Sequence, residues 1–356
     1  MAARAGHENA VSERVLTSHD VARLAGVSQA TVSRVLRQDP KVRPEMRERV
    51  MRVVAETRYL PNAAARAFRT SRSGAIGVVV ARLSYHFFPA MLEAIGARLT
   101  ALGQRMIVWD AEYGGDLQAA QALRQGLVDG VILTASTAES EFLTHVAAPD
   151  APVVLVNRTV TDYPSDQVSS DNCAGGARVA DYLVGGGRRN IALIGGIHRA
   201  STIRDREQGF RVALRQAGRE LPSHYYQRSE TFTYKSGQEA AVRLLELQHP
   251  PDAIFCVNDV LAAGAMDGAR ARGARVPEDL WVVGYDDIEL ASWGAYELTT
   301  VRQPVEEMVL RAIELLQSKI EDRTRPLRHE CFANELVIRR STGRAPFAAA
   351  PAARAG

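Results

Sequence analysis

Three polar pairs stand directly after apolar, strand-like runs in this sequence: Asn157–Arg158 after "VVLV", Asn258–Asp259 after "AIFCV", and Asp286–Asp287 after "LWVVGY". Carboxylates, amides and guanidinium groups exchange hydrogen bonds with the many hydroxyls of a sugar or polyol, while an aromatic ring covers the apolar face of such a ligand. Open parallel sheets place their ligands just past the carboxyl ends of the strands, which is where these pairs fall. The same groups also suit a purine or a sugar acid. If Arg158 reaches a shared cleft together with a second arginine, an anionic ligand such as a sugar phosphate or an aldonate is favoured. Asp259 reads differently, as the N-cap of the helix that follows it.

A second group suits nucleic acid. Residues Ser28 to Arg37 read as a helix capped by Ser28, with Val32, Val35 and Leu36 inward and a polar, cationic face outward. On that face Gln29 suits adenine, Ala30 a thymine methyl, and Arg34 a guanine or a phosphate. Ser28, Thr31 and Ser33 suit backbone phosphates, which position a protein without specifying sequence.

Catalysis finds little support. The chain has no G-x-x-x-x-G-K-[ST], H-E-x-x-H, G-x-S-x-G or G-x-G-x-x-G motif. "GGGRR" (185–189) precedes a strand rather than opening a helix, so it reads as a turn. Asp286 and Asp287, adjacent on a strand, would point apart and make a poor acid/base pair. No enzyme, no cofactor and no metal site is expected; Cys173, Cys256 and Cys331 fit no zinc spacing and no disulfide framework, and read as reduced thiols of a cytoplasmic protein.

The elements that must position these residues follow from periodicity. Thr17 to Val27 reads as a helix, with Thr17 and Asp20 in capping-box spacing, Val21, Leu24 and Ala25 on one face, and Gly26 at the left-handed end. Pro44 presets a third helix with Met46, Val50, Val53 and Val54 as its apolar stripe. Three short helices, the first two joined by a tight glycine turn, make a helix-turn-helix unit. From Ile76 onward the runs "IGVVV", "RMIVW", "GVILT", "PVVLV", "NIALIGG", "AIFCVND" and "LWVVGYDD" alternate with amphipathic helices, the pattern of parallel sheets wound with helices. Near Ser170–Asn172 and again after Thr300 the chain passes between two similar lobes.

Composition agrees. The 356 residues carry a net charge of only +3, but residues 1–73 hold 14 Lys/Arg against 7 Asp/Glu, a net of +7, and the rest is mildly acidic. A basic N-terminal block points to a polyanion at that end. No run of eighteen apolar residues suggests a membrane span, and the first sixteen residues lack the apolar stretch of a secretory signal.

The strings "DVARLAGVSQATVSRVL" and "RYLPNAAARAF" resemble the headpiece and hinge of the lactose-repressor/galactose-repressor (LacI/GalR) family. "VNDVLAAGAMDGARARG", "VPEDLWVVGYDDIELA" and "LTTVRQP" resemble its periplasmic-binding-protein-like core. The resemblance implies a homodimer on a near-palindromic DNA operator, with Gln29 and Ala30 as main base readers and Arg34 as a further one. Thr17, Asn62, Ala65, Arg66, Phe68 and Arg69 complete the implied DNA-facing set, those after Pro61–Asn62 on a hinge helix in the minor groove. Phe68 stands where the family usually has a leucine wedge, and phenylalanine is competent to pry a base step open. Arg43 stands where a Ser or Thr cap is usual.

In the core, the resemblance implies an inter-lobe effector cleft containing Arg206 (in "RDREQGF"), Asn258 and Asp286, together with Thr202, Phe232, Asn157, Tyr85, Phe87 and Trp293. Phe88 is expected in the core. Effector binding would change the arrangement of the lobes and so the operator affinity; whether it releases or tightens is open. The alternatives are a purine, sugar-acid or protein effector, or a solute-binding receptor.

The expected architecture is an all-α helix-turn-helix headpiece (16–61) behind a flexible N-terminus (1–15), then hinge and linker (62–73). An α/β core (74–343) follows, with lobe 1 at about 74–172 and 304–330, and lobe 2 at about 173–303 and 331–343. The tail 344–356 is expected to be disordered; it has no leucine heptad, so a dimer through the core is expected, without a tetramerisation helix.

Overall fold

The computed structural model describes residues 16–36, 39–59, 72–146 and 148–343. The chain divides into two compact units, residues 1–73 and 74–356.

The first unit contains α1 (Ser18–Ala25), α2 (Gln29–Leu36) and α3 (Pro44–Thr57). The capping box forms: Asp20 N–H donates to Thr17 Oγ1 at 3.3 Å, and Thr17 N–H to Asp20 Oδ2 at 3.0 Å. Gly26 takes φ 62° and returns its N–H to the carbonyls of Ala22 and Arg23. Arg49 on α3 donates to the Ala25 carbonyl at 2.7 Å, tying the third helix to this turn. Arg43 gives α3 no side-chain cap. Val21, Ala22, Ala25, Val32, Val35, Val50 and Tyr59 form the core. Two expected core residues are not in it: Leu24 is 56% and Met46 38% exposed. A two-turn helix can bury only a narrow stripe, here through Val21, Ala22 and Ala25, and Leu24 falls on its far flank.

The second unit has two lobes. The first is a six-stranded parallel sheet built from β1 (Ala75–Val80), β2 (Arg105–Asp110), β3 (Gly130–Leu133), β4 (Val153–Val156), β5 (Asp166–Ser170) and β11 (His329–Phe332), in the order β11-β5-β4-β3-β1-β2. One face packs on α4 (Phe88–Ala101) and α11 (Val305–Glu321), through Met91, Ile95, Leu99, Met308 and Leu316. The other packs on α5 (Gly115–Arg124) and the short α6 (Glu141–His145). Because β11 belongs to this sheet, the first lobe runs to Phe332, past the expected 330.

The second lobe has the parallel order β7-β6-β8-β9, from β6 (Ile191–Gly195), β7 (Tyr226–Arg228), β8 (Ala253–Cys256) and β9 (Trp281–Val283). It is flanked by α7 (Asn172–Gly185), α8 (Ser201–Gln216), α9 (Tyr234–Leu245) and α10 (Asp259–Ala271). β10 (Thr300–Arg302) and β12 (Glu335–Val337) form a separate antiparallel pair. The chain passes between the lobes after β5, after β10 and after β11.

Glycines let α7 and α8 approach closely. A Cβ at Gly176 would run into the Arg206 carbonyl, and one at Gly209 into the Cys173 carbonyl. Gly176→Ala must push the two helices apart, an overpacking that typically costs about 1–3 kcal/mol. Urea unfolding of the full chain should report a loss of that size, with the position of Arg206 disturbed as well.

Candidate effector cleft and nucleic-acid face

Each lobe has a topological switch point, between β1 and β3 in the first sheet and between β6 and β8 in the second, where neighbouring crossovers leave on opposite faces. The carboxyl ends of both sheets face one cleft, lined by residues of both lobes. Tyr85, His86 and Phe87 enter it after β1, and Asn157 and Arg158 after β4. Thr202, Ile203 and Arg206 enter from α8, Phe232 after β7, Asn258 after β8, and Asp286 and Ile288 after β9. Every expected cleft residue except Trp293 is therefore at the cleft. Trp293 is 53% exposed, directly after the helical turn Glu289–Ser292, and does not line the cleft.

Arg206 is the centre of the arrangement. It is buried, and its Nε donates to Asn172 Oδ1 at 2.8 Å, its Nη1 to the Val257 carbonyl at 2.7 Å, and its Nη2 to Asp286 Oδ1 at 2.8 Å. The guanidinium lies 3.7 Å over the centre of the Tyr285 ring, a cation–π contact. Gln303 Nε2 also donates to Asp286 Oδ1, at 2.8 Å. Burial pushes the Asp286 carboxyl above its ordinary value, and the Arg206 charge pulls it back.

Asp286 and Asp287 have φ 108° and 51°, so neither lies in extended backbone, and the carboxylates diverge for that reason rather than by strand alternation. Asp287 pairs with Arg302 and Arg339. The expected N-cap assignment is also corrected: Asn258 Oδ1, at 2.9 Å from Leu261 N, caps α10. Asp259 is instead fully buried, accepting from Thr300 Oγ1 at 2.5 Å and Ile288 N at 2.8 Å. Burial drives its carboxyl well above the ordinary range, and the nearby Asp286 charge adds to this.

Sequence reasoning missed Asn172, Tyr285 and Gln303. Only their neighbours gave a signal: Tyr285 adjoins Asp286, and Gln303 lies in "LTTVRQP".

In the first unit, α2 buries Val32 and Val35 and turns Gln29, Ala30, Ser33 and Arg34 the other way, with Ala30 and Arg34 exposed. Ser28 Oγ accepts from Thr31 N at 3.1 Å and meets Thr31 Oγ1 at 2.9 Å, so both hydroxyls also serve the helix start. Thr17 likewise serves α1 through Asp20. Gln29 Nε2 reaches Ser18 Oγ at 3.3 Å. Asn62, Ala65, Arg66, Phe68 and Arg69 lie outside the described residues. Among the described residues no cluster of three His, Cys, Asp or Glu side chains is placed to hold a metal, and no helix is long and apolar enough to cross a membrane.

Residues 17–62 match the family described as bacterial regulatory proteins, lacI family, and residues 180–342 match the periplasmic binding protein-like domain. The chain is 32% identical over 331 residues to the HTH-type transcriptional regulator DegA of Bacillus subtilis, covering 92% of this chain and 98% of that protein. The chain belongs to the lacI family. The lac repressor dimer bound to operator and the anti-inducer ONPF superposes with a TM-score of 0.82 at 27% identity, over 93% of this chain and 100% of that one. A complex of the transcriptional regulator CelR with cellobiose gives a TM-score of 0.70 at 30% identity, over 92% and 99%. Like other lacI-family members, the chain is a DNA-binding transcriptional regulator; these relatives are regulators, not enzymes.

Two outcomes follow from the buried charges. Arg206→Met leaves Asp286 without its ionic partner and should cost about 3–5 kcal/mol in urea unfolding. Asp259, with a folded-state value raised by burial, favours folding in acid and loses that contribution as pH rises from about 4 through the raised value. Asp259→Asn should therefore gain melting temperature relative to the unmodified chain as pH is raised from 4 to 8; a constant difference would contradict this.

Proposed function

We propose that a small hydroxyl-rich molecule, a sugar or sugar derivative, binds between the two lobes and thereby changes the affinity of a homodimer of this chain for a near-palindromic operator. Its action is placed in the cytoplasm, with the DNA. The observation that carries this is the composition of the cleft. Tyr85, Phe87 and Phe232 offer ring faces, while Asp286 Oδ2 has no protein partner among the described residues and Asn258 spends only its oxygen on capping.

Because the lining comes from both lobes, a ligand that touches it can distinguish between their arrangements, and only such differential affinity shifts an equilibrium. The lobes also touch beside the cleft, where Thr159 N–H donates to Ser201 Oγ at 2.9 Å and Arg199 pairs with Glu139 at 2.5 Å. The cellobiose complex of a structural relative supports the carbohydrate class.

Selection of operator sites from random duplex DNA by the purified chain, followed by titration with sugars, sugar acids, sugar phosphates and purines, tests the proposal. A palindrome whose affinity shifts with one ligand class is expected; affinity indifferent to all of them would leave a DNA-binding regulator without a small-molecule effector. Arg34→Ala and Gln29→Ala should each relax preference at one half-site position by about 1–3 kcal/mol. Glycine at both Ala64 and Ala65 should weaken operator binding and spare effector binding, since a short hinge helix is marginal by itself.

A further inference from the structure

The charges lining the cleft are not all paired with one another. Arg206 is met at contact distance by Asp286. Arg158, on the opposite lobe, forms no ion pair among the described residues. Its Nη1 donates to the Ala135 carbonyl at 2.7 Å, while its enclosed Nε donates to nothing, and no acceptor stands at Nη2.

The preceding residue is also incompletely paired, in the opposite sense: Asn157 Nδ2 donates to the Thr134 carbonyl at 3.2 Å, but its buried Oδ1 accepts from no partner. Asn157 is held at φ 76°, a left-handed conformation that a non-glycine residue keeps only when its surroundings enforce it. The other buried carboxyl of the cleft makes no contact with Arg158: Asp259 accepts from Thr300 and Ile288 instead. Burial lowers the Arg158 pKa to about 10, with the like charge of Arg206 in the same direction and Tyr85 and Asp286 opposing, so it remains a cation at neutral pH. An arginine kept charged, half-buried and short of acceptors is poorly explained as a strut for one carbonyl. Its planar fork suits a carboxylate or a phosphate.

We infer that the effector of this chain is an anion, a polyol or sugar bearing one carboxylate or phosphate, and that Arg158 receives its oxyanion from the first lobe. Asp286 Oδ2 and the Asn258 amide nitrogen take hydroxyls from the second, so one ligand spans both lobes. The inference rests on the cleft being the effector site, as proposed above.

The test is calorimetric titration of the full chain with matched sets: glucose, gluconate, glucuronate and glucose 6-phosphate, and the galactose equivalents, in low and moderate salt. At least one anion is expected to bind while its neutral parent does not, more weakly in higher salt; the carboxylate and phosphate arms tell which oxyanion is preferred. Arg158→Gln should weaken that anion roughly 10- to 100-fold, the loss of a charge-assisted contact, and Arg158→Lys should weaken it less. Thermal melts of both variants check that each is folded, and the lysine variant keeps the question open to measurement if the glutamine variant is not. A neutral parent binding as tightly as its anion, or an unchanged affinity in Arg158→Gln, overturns the charge assignment and leaves the effector cleft standing. Failure of every member of both sets to bind overturns the cleft reading along with it.

Discussion

The guanidinium of Arg206 holds together more than the cleft wall. Its partner Asn172 begins α7, directly after the first crossing between the lobes, and its partner Asp286 also accepts from Gln303, at the second crossing. Gln303 in turn accepts from Ser170 Oγ at 2.7 Å, which joins the first two crossings to each other. The ring beneath the guanidinium belongs to Tyr285, whose hydroxyl accepts from Asn334 at 3.1 Å, and Asn334 lies at the third crossing and donates to the Asp171 carbonyl at 2.6 Å. One hydrogen-bonded group thus contacts the ligand space and all three connecting segments. A ligand that alters the surroundings of Arg206 or Asp286 acts on the same atoms that set how the lobes are joined.

The energetic character of that group matters. A buried ion pair is weak evidence of stabilisation, because desolvation offsets the Coulomb gain, yet removing one partner is severe. Such a group is better at enforcing one geometry than at adding stability. Its reach depends on close helix packing: Gly176 and Gly209 let α7 and α8 approach, and α7 and α8 carry Asn172 and Arg206. A pair of longer side chains on more distant helices would reach the same contacts with more freedom.

The parts of this fold legible in sequence were those where one physical pattern dominates. Strands such as "IGVVV" and "AIFCV" are buried on both faces and read as continuous apolar runs. β5, "DQVSS", is just as buried but polar, and it escapes that signal. Its Asp166 is met by Arg325 at 2.5 Å and by Arg328 N–H at 2.8 Å, and Gln167 exchanges bonds with the backbone of Val160. These partners lie up to 162 residues away, where no local pattern can announce them. The same holds in the cleft. Positions after strands pointed to Asn157, Asn258 and Asp286, and resemblance added Arg206, but Asn172 and Gln303, which orient Arg206 and Asp286, come from the crossings. Asp259 shows the limit of local capping rules, since its neighbour Asn258 caps equally well and tertiary burial decides between the two.

The contacts that bridge the lobes beside the cleft are slight by comparison with the central group. Arg199 and Glu139 are 62% and 63% exposed, and exposed pairs contribute about 0–1 kcal/mol. A hydrogen bond such as that from Thr159 to Ser201 contributes about 0.5–1.5 kcal/mol net. The lobes are therefore joined firmly at the crossings and lightly at the mouth, where a ligand would bridge them. In such a molecule, a ligand contributing a few charge-assisted contacts across the mouth outweighs the protein's own bridging contacts there. Its differential affinity for one arrangement, rather than its affinity as such, then sets how far the equilibrium moves. The unpaired cation on one wall and the open carboxylate oxygen on the other lie on different lobes, so contacts to both are made in full only when the two walls are at one separation.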